Sequence, residues 1–179
     1  MRWHLSHRAD KRALPIADRH YNRQKVGSPQ FVPPGRCCVL LTNEPNALWV
    51  TSWPFAEYVK HDWPGAWMCS CFRNESPDLA SELIREAIAA TRSFFGEPPD
   101  LGMVTFIDPR EVKPTMVRGY PVWGWTYHKA GFHFAGVTKG GLIAWQTLRD
   151  EMPCPDPPLE AFDAAKEKQL EFTFEEAER

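Results

Sequence analysis

Four short stretches of this chain hold side chains able to act on a ligand. His20 and Tyr21 stand together where a first helix gives way to a basic loop. The imidazole could be a base or a metal ligand, and the phenol could hold a substrate through its hydroxyl. The pair could equally be a helix-capping histidine and a packed tyrosine. Asp108 ends an apolar run and precedes a proline. There it could orient an acceptor amine or bind metal, and Asp-Pro is also a common turn starter. His20 and Asp108 together would supply one imidazole and one carboxylate, less than a full facial triad. Arg73 offers a planar fork for a phosphate, or an ion pair with Glu75 or Asp108. Ser81 is either a helix cap or a hydroxyl near a ligand.

The elements that must position these groups are legible from periodicity and breakers. Arg8 to Tyr21 reads as a helix interrupted or begun near Pro15, and Val26 to Arg36 as a Gly- and Pro-rich loop. Cys37–Thr42 and Ala47–Trp53, joined by Asn43-Glu-Pro-Asn46, read as a hairpin. Trp67–Phe72 is a third strand. Arg73 to Asp78 is a polar turn, and Leu79, Leu83, Ala87, Ala90 and Phe94 mark one face of a helix of about five turns that Gly96 stops. Asp78 or Ser81 would cap that helix, and its free N–H groups would suit a phosphate. Leu101–Ile107 is a strand parallel to the one before the helix, so Asp108 lies at its carboxyl end, the usual ligand side of such sheets. Val122–Ala130 reads as a short helix, and 133–138 with 142–147 as a closing hairpin. Residues 1–150 thus form one α/β domain. A Pro-rich linker and an acidic helix over Leu159–Leu170 occupy 151–179.

Composition narrows the classes. A chain of 179 residues, 43% hydrophobic, is long enough for one cored, soluble domain. It has no run of apolar residues long enough to span a membrane, and the Met-Arg-Trp-His start does not read as a signal peptide. Five cysteines, with Cys69 and Cys71 alternating in one strand and so facing the same way, read as buried reduced thiols in a cytoplasm. Residues 1–36 carry eight Lys or Arg against two Asp, and 150–179 carry ten acids against three cations. A basic front end fits a polyanion such as DNA, with Arg23, Lys25 and Arg36 on flanking phosphates. Alternatively, front and tail offset one another. Trp49, Trp53, Trp63 and Trp67 could stack an extruded base or simply fill the core.

The order helix, hairpin, strand–turn–helix–strand, short helix, hairpin resembles the GCN5-related N-acetyltransferase (GNAT) fold, a mixed, partly split β-sheet flanked by helices. Trp125-Thr-Tyr-His-Lys-Ala-Gly-Phe132 is similar to the segment in which that superfamily places a tyrosine as general acid to a departing thiolate, which would give Tyr127 that role. The usual glycine-rich pyrophosphate loop is reduced here to Arg73 and a small residue, with Glu75 and Asp78 beside them. A narrower resemblance over about residues 10–147 is to the phage Mom-type DNA-modification family, carried by His20-Tyr21, Arg73, Ser81 and Asp108. It implies a transferase that adds an acyl or acetamido-type group to a nucleobase amine and protects DNA from restriction. It also implies acetyl-CoA or a related acyl donor near Arg73 and Ser81, and iron at His20 and Asp108. Two other functions fit the same chain: an acyl-CoA-dependent N-acetyltransferase acting on a small amine or protein, and a DNA-binding or adaptor module without enzymatic activity.

Overall fold

The computed structural model describes residues 1–33 and 35–161; most of the expected acidic helix lies outside them. Along the chain come β1 (Trp3–Ser6), α1 (Leu14–Asp18), β2 (Arg36–Thr42), β3 (Ala47–Trp53), β4 (Trp67–Asn74), α2 (Ala80–Phe95), β5 (Met103–Ile107), β6 (Thr115–Val117), β7 (Tyr120–Val122), α3 (Trp125–Lys129), β8 (His133–Val137) and β9 (Ile143–Thr147). Seven strands make one mixed sheet in the order β1-β2-β3-β4-β5-β9-β8, and β6 pairs only with β7. Strands β2 and β3 are buried on both faces, which accounts for their nearly unbroken apolar sequence.

On one face, Leu83, Ile84, Ala87 and Ile88 of α2 pack against Trp3, Leu40, Trp49 and Trp67. On the other, Ile16 and Ala17 of α1 join Val39, Leu41, Leu48 and Val50. α1 begins beside Pro15 and α2 stops at Gly96, both as expected, but their extent and capping differ. α1 is five residues, because Pro15 sits in its first turn and the preceding stretch folds as turns around the Asp10 carbonyl. α2 begins at Ala80, so Leu79 is its extended N-cap, and neither Asp78 nor Ser81 caps it. Leu83, Ala87 and Ala90 are buried as expected, Ile84 and Ile88 complete the buried stripe, and Leu79 and Phe94 at its two ends are exposed. The expected helix over Val122–Ala130 shortens to α3, with β7 ahead of it.

The tryptophans proposed as a stacking surface, Trp49, Trp53, Trp63 and Trp67, belong to the packed interior instead. Trp3, Trp49 and Trp67 have no exposed surface, Trp63 is buried, and Trp53 packs edge-on to Trp67 and Phe95. None of Trp49, Trp53, Trp63 and Trp67, in β3, β4 and the loop between them, lines a hollow beside the candidate residues.

One irregularity shapes the sheet. Val50 pairs with Cys71 and Thr51 with Cys69, so Ser70 is an extra residue, a bulge in β4. It turns Cys69 toward α2 and Cys71 toward α1, correcting the expectation that the two thiols face the same way. A bulge also bends its strand. Here it lies where β4 leaves its parallel neighbour: the two pair at Trp67–Met103, Met68–Val104 and Cys69–Thr105 and no further among the described residues. The Pro-rich segment after β9 returns along β1, where Leu5 donates to the Leu159 carbonyl and Leu159 to the Trp3 carbonyl. Among the described residues no helix is long and apolar enough to cross a membrane.

Candidate functional site

Where β4 and β5 part, a cleft of about 290 Å³ opens between Cys69–Phe72 and Thr105–Ile107. The end of α1 closes it with His20 and Tyr21, and α3 closes the opposite side with Tyr127. A wider hollow of about 740 Å³ adjoins it and shares Tyr21, Ser70 and Phe106.

Local chain geometry delivers each group. The His20 amide donates to the Ala17 carbonyl, so the histidine finishes α1 and its ring reaches the bulge. Asn22 joins the two: its amide nitrogen donates to the Ser70 carbonyl at 2.8 Å and its oxygen meets His20 Nδ1 at 2.5 Å. With the amide nitrogen on Ser70, the oxygen must accept from the ring, which puts the proton on Nδ1 and leaves Nε2 the basic nitrogen. A longer contact of 3.3 Å from the Asn22 backbone N–H to Nδ1 competes with this arrangement. Burial, helped by the charge of Arg73, lowers the His20 pKa below its usual value, while hydrogen bonds to Asn22 and to the Phe72 backbone oppose that shift. The net shift favours the neutral ring.

Tyr21 stacks on His20, with ring centres 4.6 Å apart, and its hydroxyl donates to the Phe106 carbonyl at 3.4 Å. It thus spans the gap from α1 to β5. Burial raises its pKa, against the pull of the Asp108 backbone amide. Tyr127 stands edge-on between Phe72 and Phe132, its hydroxyl 3.7 Å from Cys69 Sγ. Burial pushes that hydroxyl well above 10, so it carries its proton at any physiological pH. Burial likewise pushes the Cys69 and Cys71 thiols up to about 12, so neither is a ready nucleophile.

α3 holds its place through glycine and indoles. Gly124 has φ 85°, and a Cβ there would fall 2.2 Å from Trp145 Nε1. That indole donates to the Trp123 carbonyl, and the Trp123 indole donates to the Val112 carbonyl. The two bonds pin the loop after β5 to α3.

Other expected residues take up different work. Asp108 lines the wider hollow rather than the cleft with His20. Both of its oxygens are held by Arg110, at 2.8 and 2.7 Å, and its Oδ1 also accepts from the Arg110 amide, an Asx-type turn. Tyr21 lies between His20 and Asp108 and lines both hollows. Among the described residues no group of three or more His, Cys, Asp or Glu is placed to hold a metal ion.

Arg73 donates to Glu75 and to the Arg19 carbonyl, each at 2.6 Å, and lines neither hollow. Arg19 binds the same carboxylate. Asn74 and Ser76 knit the turn internally, while Arg2 crosses the helix start to Asp78, Glu82 and Glu86. The expected phosphate seat is thus filled by the protein's own ions, and Ser81 sits in the first turn of α2 without lining the cleft. Arg23 reaches the wider hollow, but its guanidinium is tied to Asp18, Ser28 and Gln30. Arg36 lies over the Trp53 and Phe95 rings, at the end of the sheet where β4 begins rather than where it parts. Lys25 is exposed and lines neither hollow.

Comparison with protein-family models, curated proteins and solved structures finds no match to this chain. Asn22, Ser70 and Lys113, which line the cleft, were not singled out from sequence. Asn22 had a signal, its place two residues after His20. The bulge had none.

Proposed function

We propose that the cleft between the parting strands is the transfer site of a GNAT-like enzyme that moves an acyl or acetamido-type group onto a nucleobase amine in DNA. One observation carries this: an imidazole whose burial favours the neutral form and a protonated phenol, from distant parts of the chain, border one gap between two parallel strands. The gap is near the lower end of small-ligand sites, roughly 300–1,000 Å³.

An exocyclic amine conjugated to a base is a weak nucleophile, so its proton must leave as it attacks. Neutral His20 suits that task, directly or through one water. The amine nitrogen bonds to the donor's carbonyl carbon, the carbon–sulfur bond of a thioester donor breaks, and the departing sulfur takes a proton from Tyr127. Tyr127 is regenerated as His20 returns its proton through solvent. No electron count changes. Tyr21 positions the acceptor against β5, and Asp108 sets the loop beneath it. An iron ion at His20 and Asp108, which the resemblance implies, would require Asp108 to leave Arg110. A donor phosphate at Arg73 would have to displace Glu75, so the acyl donor would contact the Asn74–Ala80 corner through backbone and uncharged side chains.

Arg23 and Arg73 are held by Asp18 and Glu75, and this favours a second substrate class, a small uncharged or cationic amine. DNA from cells expressing the chain, digested to nucleosides and weighed by mass spectrometry, separates the two. A mass-shifted nucleoside lost in His20→Ala and Tyr127→Phe supports the first, and an unaltered digest overturns it.

A further inference from the structure

The ribbon β6–β7 belongs to no larger sheet. Its two-residue loop is Arg118-Gly119, with φ 50° and 85°, the positive pair that marks a type I′ turn. Thr115 faces Val122 and Val117 faces Tyr120 across the ribbon. Side chains alternate along a strand, so these four share one face. At the base of that face, Thr115 lines the cleft and Val122 packs on the core. At its tip Tyr120 is 74% exposed, and Met116 on the opposite face is 63% exposed. The ribbon therefore carries an aromatic ring outward from the cleft wall, on the side that looks into the cleft. The surrounding chain is basic: Pro109 to Ala130 holds Arg110, Lys113, Arg118 and Lys129 against Glu111 alone, with Arg110 paired to Asp108. Lys113 lines the cleft itself.

We infer that this ribbon is the arm that engages duplex DNA, with Tyr120 stacking on the bases at the extrusion site and Arg118 and Lys113 on the flanking phosphates. It rests on the proposal that the cleft modifies a nucleobase. A target base must leave its stack before chemistry can reach it, and the opening must be held by something that stacks in turn. A two-stranded ribbon fits the major groove, and aromatic rings stack on any base. Trp49, Trp53, Trp63 and Trp67 cannot serve, because they pack with the core and line neither hollow, and Trp125, which lines the cleft, sits on α3 rather than at an exposed tip.

The test uses the full-length protein and a duplex oligonucleotide carrying 2-aminopurine beside the target position, read by anisotropy and by 2-aminopurine fluorescence. Wild type should bind and brighten the probe. Tyr120→Ala should weaken binding about tenfold and remove the brightening, with Tyr120→Phe retaining both. Arg118→Gly keeps the turn, since glycine favours that φ, and should lower the salt slope of binding by about one. Equal affinity and brightening in wild type and Tyr120→Ala overturn the inference. A modified nucleoside together with that equality leaves the transfer proposal standing and removes the ribbon's role. Ribbon-dependent binding with unaltered nucleosides does the reverse, and wild type that binds no duplex removes both.

Discussion

Two loops flank the cleft, and they treat their charges in opposite ways. The β4–α2 turn gathers Arg2, Arg19 and Arg73, yet every one is bound by Glu75, Asp78, Glu82 or Glu86. The β5–α3 connection leaves Lys113 at the cleft and Arg118 and Tyr120 exposed on a ribbon that pairs with no strand of the main sheet. A strand–turn–helix corner draws attention because helix N-termini favour anions. Here that corner is a structural clasp, and the transfer we propose draws on the other side, which looks like an ordinary connection. Cation count alone therefore misplaces a binding surface; which cations have partners decides it.

The sharpest way to break this contrast is at the cleft. Tyr127→Phe should lower transfer by about 100- to 1,000-fold, the order expected for a lost general acid, with the thermal midpoint little changed. Normal turnover would return the search to the other loop. Next in size, Gly124→Ala places a Cβ against the Trp145 indole at a left-handed φ. It should cost about 2 kcal/mol or more, seen as a lower urea midpoint at unchanged slope.

His20 gives a pH signature. Its pKa is lowered, chiefly by burial, so the neutral base survives below the usual imidazole value. The acid limb of the transfer rate should lie below pH 6.5; a limb at or above that value contradicts the assignment.

The smallest effect belongs to the clasp. Hydrogen bonds from Arg19 and then Arg73 hold Glu75 down to about 2. A carboxyl depressed on folding stabilises above its unfolded pKa, and that contribution disappears as pH falls through the folded one. Asp10 behaves alike: burial would raise it, but Arg12 and Ser6 bring it to about 2. Thermal stability should therefore fall between about pH 4.5 and 2, and Glu75→Gln should flatten part of that limb. At pH 7 the same change should cost under about 1 kcal/mol, because the pair is half open to solvent. Transfer should be unaffected; a large loss would show that the clasp takes part in catalysis.

Much of the framework was legible. The hairpin of β2 and β3, the parallel pair β4 and β5 linked by α2, and the closing β8–β9 hairpin all follow from alternating or continuous apolar runs bounded by Gly, Pro and Asn. β1 was missed because Trp3–Ser6, although it alternates Trp-His-Leu-Ser, is only four residues long, and it becomes a strand by pairing with β2. The β6–β7 ribbon was missed although Val117-Arg-Gly-Tyr120 holds its turn glycine, because three-residue strands are too short to show a period. His20, Tyr21 and Tyr127 do border one cleft. The Arg73–Glu75 pair was one of the two readings the sequence offered for that arginine. Asp18 and Arg110, the partners of Arg23 and Asp108, are near in the chain, but charge alone does not say which neighbours will pair. The second cation on Glu75, Arg19, was not legible because it lies 56 positions away. Nor was the Ser70 bulge, which depends on register rather than residue type.

The most direct test of the transfer site is nucleoside mass analysis of DNA from cells expressing wild type, His20→Ala or Tyr127→Phe, each verified as folded. A heavier nucleoside present with wild type and absent with both variants is the predicted result. An unchanged digest with wild type, or a heavier nucleoside that persists in both variants, would contradict it.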